Sequence, residues 1–404
     1  MILRAKWVVP IVGPPIADGV ACVEGERITA VGSAGDREAL LRGPVCDLGD
    51  VILTPGLVNP HTHLELTCYA GQLAPAPLWA WFPPLMKLRQ APGQIERERQ
   101  GVCDGAWQSL RAGVTCVGDI SRRNLNWQVL KPIPIRKVCF AELLTLADDP
   151  PRDAAELRAA FDEIEEDALL TAGVTPHAPY TVPPEQIRAA VELATERRRP
   201  WCTHWAETRE ECDFLRGDLA AMPHFMQALL LQCRLDSPRA TAIDLLERCA
   251  GGLPPGTLAH WNYAAEDDGP RLAASGHAVV YCPRSHAFFG HPPHPYRRFL
   301  EAGVRVVLGT DSVASNANLR LLEEVQFVRR HSPAPPPAEV LLRMVTLDAA
   351  RALGLDRRIG SLEAGKQADL AAFPCPADTS RPLDYLCAAA PAPTAVWVAG
   401  QRIF

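Results

Sequence analysis

Val51-Ile52-Leu53-Thr54-Pro55-Gly56-Leu57-Val58-Asn59-Pro60-His61-Thr62-His63-Leu64-Glu65 is an apolar run that ends in two histidines one residue apart. A run so rich in Val, Ile and Leu reads as a strand buried on both faces, the pattern of a parallel sheet. Side chains alternate along a strand, so His61 and His63 face the same way and can share one metal ion. Taken alone the pair is weak evidence, because polar residues commonly rim the end of a strand.

Seven further apolar runs follow, giving eight in all: residues 51–64, 114–120, 136–144, 169–178, 200–207, 257–263, 277–285 and 305–312. Between them, stretches such as 154–168, 184–198 and 319–330 mix apolar and charged residues at three- and four-residue spacing, as amphipathic helices do. The interval 206–252 is too long for one helix and predicts two or three. Eight such units predict an α/β fold, a TIM-like (β/α)8 barrel whose chemistry sits at the C-terminal ends of its strands. A doubly wound sheet is the competing layout, but no G-x-G-x-x-G follows the first strand.

Those strand ends carry more of the same chemistry. Thr203-His204-Trp205-Ala206-Glu207 ends the fifth run, Ala259-His260 the sixth and Gly309-Thr310-Asp311-Ser312 the eighth. Each has a bland reading as a capping or rim group. Together they bring His61, His63, His204, His260 and Asp311 to one end of a barrel, where clustered imidazoles and carboxylates mark a site.

Both ends of the chain read differently. Residues 2–32 and 360–404 alternate short β-type runs with turns, and neither could bury a sheet face alone. They are expected to pair as a small β-sandwich, giving residues 1–52 and 359–404 to that module and 53–358 to the barrel. The chain has 404 residues, 48% hydrophobic and 22% charged, which excludes a disordered chain. A net charge of −6 argues against nucleic acid or an anionic membrane as partner. No apolar stretch is long enough to span a bilayer and no secretory leader is evident, so a cytoplasmic protein is expected. Thirteen cysteines without a C-x-x-C then read as reduced, mostly buried thiols.

His61-x-His63, His204, His260 and Asp311, in this order, resemble the metal-site pattern of the amidohydrolase superfamily. The β module from both termini, the run from Thr54 to His63 and Gly360-Ser361-Leu362-Glu363-Ala364-Gly365-Lys366-Gln367-Ala368-Asp369-Leu370 carry the same resemblance. Within it, Pro176-His177-Ala178-Pro179-Tyr180-Thr181-Val182 and His204-x-x-Glu207 are similar to the chlorohydrolase and aminohydrolase branch. That branch includes adenosine-type, aminodeoxyfutalosine and methylthioadenosine/S-adenosylhomocysteine deaminases, with guanine and s-triazine hydrolases.

The resemblance implies His61, His63, His204 and Asp311 as ligands of one divalent metal, zinc with iron as the alternative. A place left open for water is the mark of a catalytic site. His260 and His204 could exchange roles. Binuclear relatives bridge two metals through a lysine on the fourth strand; residues 169–178 contain none, and Glu142 is a weaker bridging candidate. The implied reaction is hydrolytic deamination of an amino-substituted N-heterocycle, a cyclic amidine, with an aminopurine nucleoside as the expected substrate. The attacking group would be a metal-bound hydroxide and ammonia would leave. Asp311 would take the water proton, His260 would hold the oxygen and Glu207 would carry a proton to the ring.

His177 is implied as a substrate contact, against a plain capping bond. Trp81, with Trp79 and Phe82, is a candidate surface for stacking a flat ring, against simple core packing. The stretch Arg284-Ser285-His286-Ala287-Phe288-Phe289-Gly290-His291-Pro292-Pro293-His294 has His286 where many relatives have asparagine. A substrate-recognition loop containing His286, a structural loop and a second metal site compete for it. No acidic residue lies near residues 88–91, where the methylthioadenosine/S-adenosylhomocysteine branch holds ribose. Removal of chloride or an alkylamine, or opening of a cyclic amide, is the alternative reaction, and a non-catalytic binding protein the remote one. Homo-oligomers are common in the resembled family.

Overall fold

The computed structural model describes residues 1–36, 44–146, 149 and 151–404. Its central part is α/β with parallel strands. One sheet joins β6 (Leu57–Thr62), β7 (Val114–Ser121), β8 (Arg136–Leu143) and β9 (Leu170–Pro176) in chain order. A second joins β10 (Cys202–Trp205), β11 (Thr257–His260), β12 (Ala278–Tyr281) and β13 (Arg305–Leu308). Parallel bridges Val174–Trp201 and Thr62–Asp311 link the two sheets at both seams. Side chains from six of these strands, among them Val58, Ile120, Phe140, Cys202, Val280 and Val307, meet in one buried cluster capped by Leu353, Leu355 and Ile359.

The predicted first strand is two strands. Residues 51–55 form β5, antiparallel to β14 (Leu370–Pro374), while β6 begins only at Leu57. Gly56 makes the break: its N–H donates to the Asp369 carbonyl at 2.8 Å, and a Cβ there would collide with Thr115. An uninterrupted apolar run hides such a change of sheet, because both halves are buried.

Both chain ends share one mixed sheet. Its order is β16 (Gln401–Arg402), β15 (Ala395–Val398), β14, β5, β1 (Ile2–Val8), β2 (Ile16–Glu24), β3 (Arg27–Ser33), with β4 (Val45–Asp47) paired to β1. Leu3, Val8, Ile28, Leu53, Leu370 and Trp397 form its larger core. Arg136 on β8 grips Asp369 with two bonds of 2.8 and 3.0 Å, a buried bidentate pair that ties this sheet to the parallel one.

The interval after β10 holds the helices Arg209–Arg216, His224–Gln232 and Ala242–Ala250, as its length predicts. All thirteen cysteines are free and nine are buried. Among the described residues no helix is long and apolar enough to cross a membrane.

Candidate metal and active site

The C-terminal strand ends are where backbone geometry becomes unusual. Ala206, His260, Trp261 and Asp311 have φ of +50°, +76°, +46° and +56°. Non-glycine residues pay for this conformation, and it persists where surrounding bonds over-determine it. Here they do. The Glu211 carboxylate accepts from the Ala206 and Glu207 N–H groups at 2.9 and 2.8 Å, and Asn262 Nδ2 donates to the Glu207 carbonyl at 2.9 Å.

His61 is the penultimate residue of β6, His63 follows the strand, and His204 lies within β10. Nε2 of His63 and Nε2 of His204 face each other at 3.1 Å. His204 Nδ1 lies 2.8 Å from the His177 carbonyl, so Nδ1 carries the proton and Nε2 is a bare lone pair. The His63 ring is hydrogen-bonded to the Ile120 backbone, which fixes its tautomer in the same sense. Burial holds both imidazoles neutral, with pKa lowered to about 4. Two acceptors thus point at one another without a proton between them. His61 Nε2, beside them, is buried and has no hydrogen-bond partner.

Asp311 Oδ1 is 3.9 Å from the Nε2 atoms of both His61 and His63. Its other oxygen accepts from Ser285 at 2.6 Å and Ser315 at 3.2 Å, which turns Oδ1 toward the histidines. The donor atoms of His61, His204 and His260, and those of His61, His63 and Asp311, each fall within 4.8 Å of one another. Neutral imidazoles, a carboxylate and converging lone pairs fit a divalent metal ion. His204 stands closer to this group than His260 does: its Nε2 is 3.1 Å from His63 Nε2, and its ring centroid is 5.0 Å from that of His61 against 5.4 Å for His260. Among the described residues, His286, His291 and His294 form no such group, and Lys137 is bonded to Ile133 at the opposite end of β8.

A cavity of about 340 Å³ opens over the histidines, within the usual range for a small-molecule site of about 300–1,000 Å³. His63, His204, His260 and Asp311 form one part of its lining, with Glu207 and His177 beside them. Glu207 Oε1 lies 3.5 Å from His260 Nε2. Burial, with Asp311 and Glu211 adding repulsion, raises the Glu207 carboxyl well above the usual range, the direction that favours its protonated form. Thr181 donates its hydroxyl to the Ala178 carbonyl and accepts from His177 Nδ1 at 2.7 Å, leaving His177 Nε2 as an acceptor. Trp79, Trp81 and Phe82, on the helix Leu78–Arg89, also line it.

His286 is a correction. It does not line the cavity; its ring nitrogens face Asn262 Oδ1 at 3.1 Å and the Pro292 carbonyl at 2.8 Å. His286 braces the site from behind, since Asn262 in turn holds the Glu207 backbone, while the same loop reaches the cavity through Phe289. A histidine-rich loop next to a strand end reads equally well as lining or buttress, and the sequence carries no mark to separate them.

Several lining groups have no sequence signal of their own. Arg89 binds Glu65 at 2.6 Å and Glu98 at 3.0 Å, latching the aromatic helix to the segment just after His63. Met226 and Leu229, from a helix after β10, complete the apolar wall with Leu144 and Phe289. Glu65 was visible in the opening run, yet its partner lies 24 residues on.

Residues 52–403 match the model of the amidohydrolase family. A curated 5-methylthioadenosine/S-adenosylhomocysteine deaminase of Moorella thermoacetica is 30% identical over 390 residues, which is 92% of this chain and 84% of the relative. Among solved structures, a zinc-bound adenosine deaminase of Xanthomonas campestris has a TM-score of 0.82 at 27% identity, covering 99% of this chain and 92% of that one. An aminofutalosine deaminase of Helicobacter pylori, at 21% identity, shares the fold with a TM-score of 0.85 over the whole of both chains.

Proposed function

The chain belongs to the amidohydrolase family, and from that premise we propose that it is a metal-dependent hydrolytic deaminase of an aminopurine nucleoside. In this reading residues 53–358 close as one (β/α)8 barrel, and residues 1–52 with 359–404 form a β-sandwich beside it. His61, His63, His204 and Asp311 would hold one divalent ion, zinc in preference to iron. When bound, the ion supplies a Lewis acid that makes a water acidic at neutral pH.

The protein's own groups divide the remaining work. Asp311 Oδ1 faces the histidines and takes the proton of the attacking water. The Glu207 carboxyl, whose protonated form burial favours, gives its proton to the ring nitrogen beside the amino-bearing carbon. His260 Nε2, next to Glu207, holds the oxygen that adds to that carbon. His177 Nε2 accepts from the heterocycle, and Trp81 packs against its face. The proton held by Asp311 passes to the amine, which leaves as ammonia, and the proton of the added oxygen returns to Glu207 as the ring carbonyl forms, so water's two hydrogens end on ammonia and, through Glu207, on the ring nitrogen.

One observation carries this reading: a buried carboxyl 3.5 Å from a buried imidazole, both lining the cavity beside the metal-type donor group. Ammonia release from aminopurines, their nucleosides, aminodeoxyfutalosine and a chloro- or alkylamino-triazine tests it. Turnover confined to the aminopurine nucleosides is expected. Release of chloride or alkylamine without ammonia would replace deaminase by chlorohydrolase, and no turnover by the metal-loaded protein would reject the enzyme.

A further inference from the structure

We infer that Glu142 is a specificity residue that receives the hydroxyl-bearing, non-reacting part of the substrate. The inference rests on the deaminase reading and deepens it, since it selects nucleosides over free bases. Glu142 lies near the C-terminal end of β8 and lines the cavity, with only 7% of its surface exposed. Two other acids of the lining are committed through hydrogen bonds, Glu65 to Arg89 and Ser121 and Asp311 to Ser285 and Ser315, and Glu207 stands beside His260 as the proton carrier. Glu142 accepts no hydrogen bond from any described residue. Its carboxyl opens on the cavity rather than being sealed in the protein, so a ligand that fills the cavity can supply the donor.

The chemistry of that donor follows from the surroundings. Glu65 repels the Glu142 carboxylate, while Arg89 and Arg122, both in the same lining, attract it. Both guanidiniums are already ion-paired, Arg89 with Glu65 and Glu98 and Arg122 with Asp149, so neither is free to take an anionic group. A cationic ligand group would meet the arginines and an anionic one the acids, so a neutral donor is favoured. Burial raises the Glu142 carboxyl to about 7, consistent with a group that has no bond of its own to stabilise its charge. Position supports the split in roles: Glu142 stands on β8, and the charges that act on it are those of Glu65, Arg89 and Arg122, not those of Glu207 or Asp311. A substrate reacting at one side therefore reaches Glu142 with a remote part, and in a nucleoside the remote neutral donors are sugar hydroxyls.

The test compares native protein with Glu142→Leu on the panel nucleoside turned over fastest, its 2′,3′-dideoxy analogue and its free base. A hydrogen bond to a charged group is worth about ten- to a hundredfold in affinity. The preference for nucleoside over base, as a ratio of kcat/KM, is expected to fall at least tenfold in the variant. The dideoxy analogue should lose little more than the base does. Melting temperature should hold or rise, because leucine removes an unpartnered buried acid. An equal loss on all three substrates, or no loss on the nucleoside, overturns the inference while ammonia release by the native protein leaves the deaminase reading standing. Should native protein release no ammonia at all, that reading fails instead. Binding of adenosine and adenine, followed by emission of Trp79 and Trp81, then decides Glu142, and equal affinities in native and variant overturn it.

Discussion

The Nε2 of His294 lies 2.7 Å from the carbonyl oxygen of His260 and donates to it, because His294 Nδ1 accepts from the Tyr296 N–H at 2.9 Å. This bond holds the backbone of a residue at φ +76° and so aims the His260 ring at Glu207. His294→Leu leaves a buried carbonyl unpaired, at a cost of about 1–3 kcal/mol. The melting temperature should fall by several degrees, and kcat should fall more than KM rises, with metal content retained. His294→Gln, which keeps a donor, should recover part of the loss. Normal kcat in the leucine variant would show that the loop does not aim His260.

Glu207→Gln removes the proton but keeps the shape. Turnover should drop by about two orders of magnitude or more, with metal content and melting temperature near native. Near-normal kcat would take Glu207 out of the proton path.

The histidines at the strand ends were legible before the fold because strand periodicity and metal chemistry both act through local spacing: His61 and His63 are two residues apart. The eight-unit alternation was legible for the same reason. The change of sheet at Gly56 was not, since burial on both faces erases the alternation that would mark it. Nor were Arg89 or the buttressing role of His286, because each depends on a partner brought in by folding rather than by sequence. Glu98 is nine residues from Arg89, but nothing in the intervening sequence says that both turn inward toward Glu65.

His277 gives a pH dependence independent of the metal. It is buried, its Nδ1 accepts from the Gly256 N–H at 2.9 Å, and burial lowers its pKa to about 4. The unfolded chain takes up its proton near 6.5, before the native state does. Its contribution to stability is therefore full above about pH 6.5 and lost as pH falls toward 4, amounting to about 2 kcal/mol by pH 5. His277→Gln should show a smaller drop in melting temperature between pH 7 and pH 5 than native protein. Parallel pH curves for the two would refute the buried neutral imidazole.

Metal removal tests the donor group most directly. With Nε2 of His63 and His204 3.1 Å apart and both lone pairs bare, the stripped site sets acceptor against acceptor beside the unpartnered His61 Nε2. Chelation should abolish turnover and lower the melting temperature. Refilling should reverse both, since a ligand at a thousand times its dissociation constant stabilises by about 4 kcal/mol. One equivalent of zinc per chain should suffice, because Glu142, the candidate bridge to a second ion, belongs to neither donor group among the described residues. His61→Ala should bind zinc far more weakly and lose the zinc-dependent rise in melting temperature. Asp311→Asn should keep part of that rise, since its amide oxygen can still face His61 and His63, yet lose turnover for want of a proton acceptor. Recovery that needs two equivalents would assign the cluster a second ion and return Glu142 to the metal, which would also remove it from the sugar.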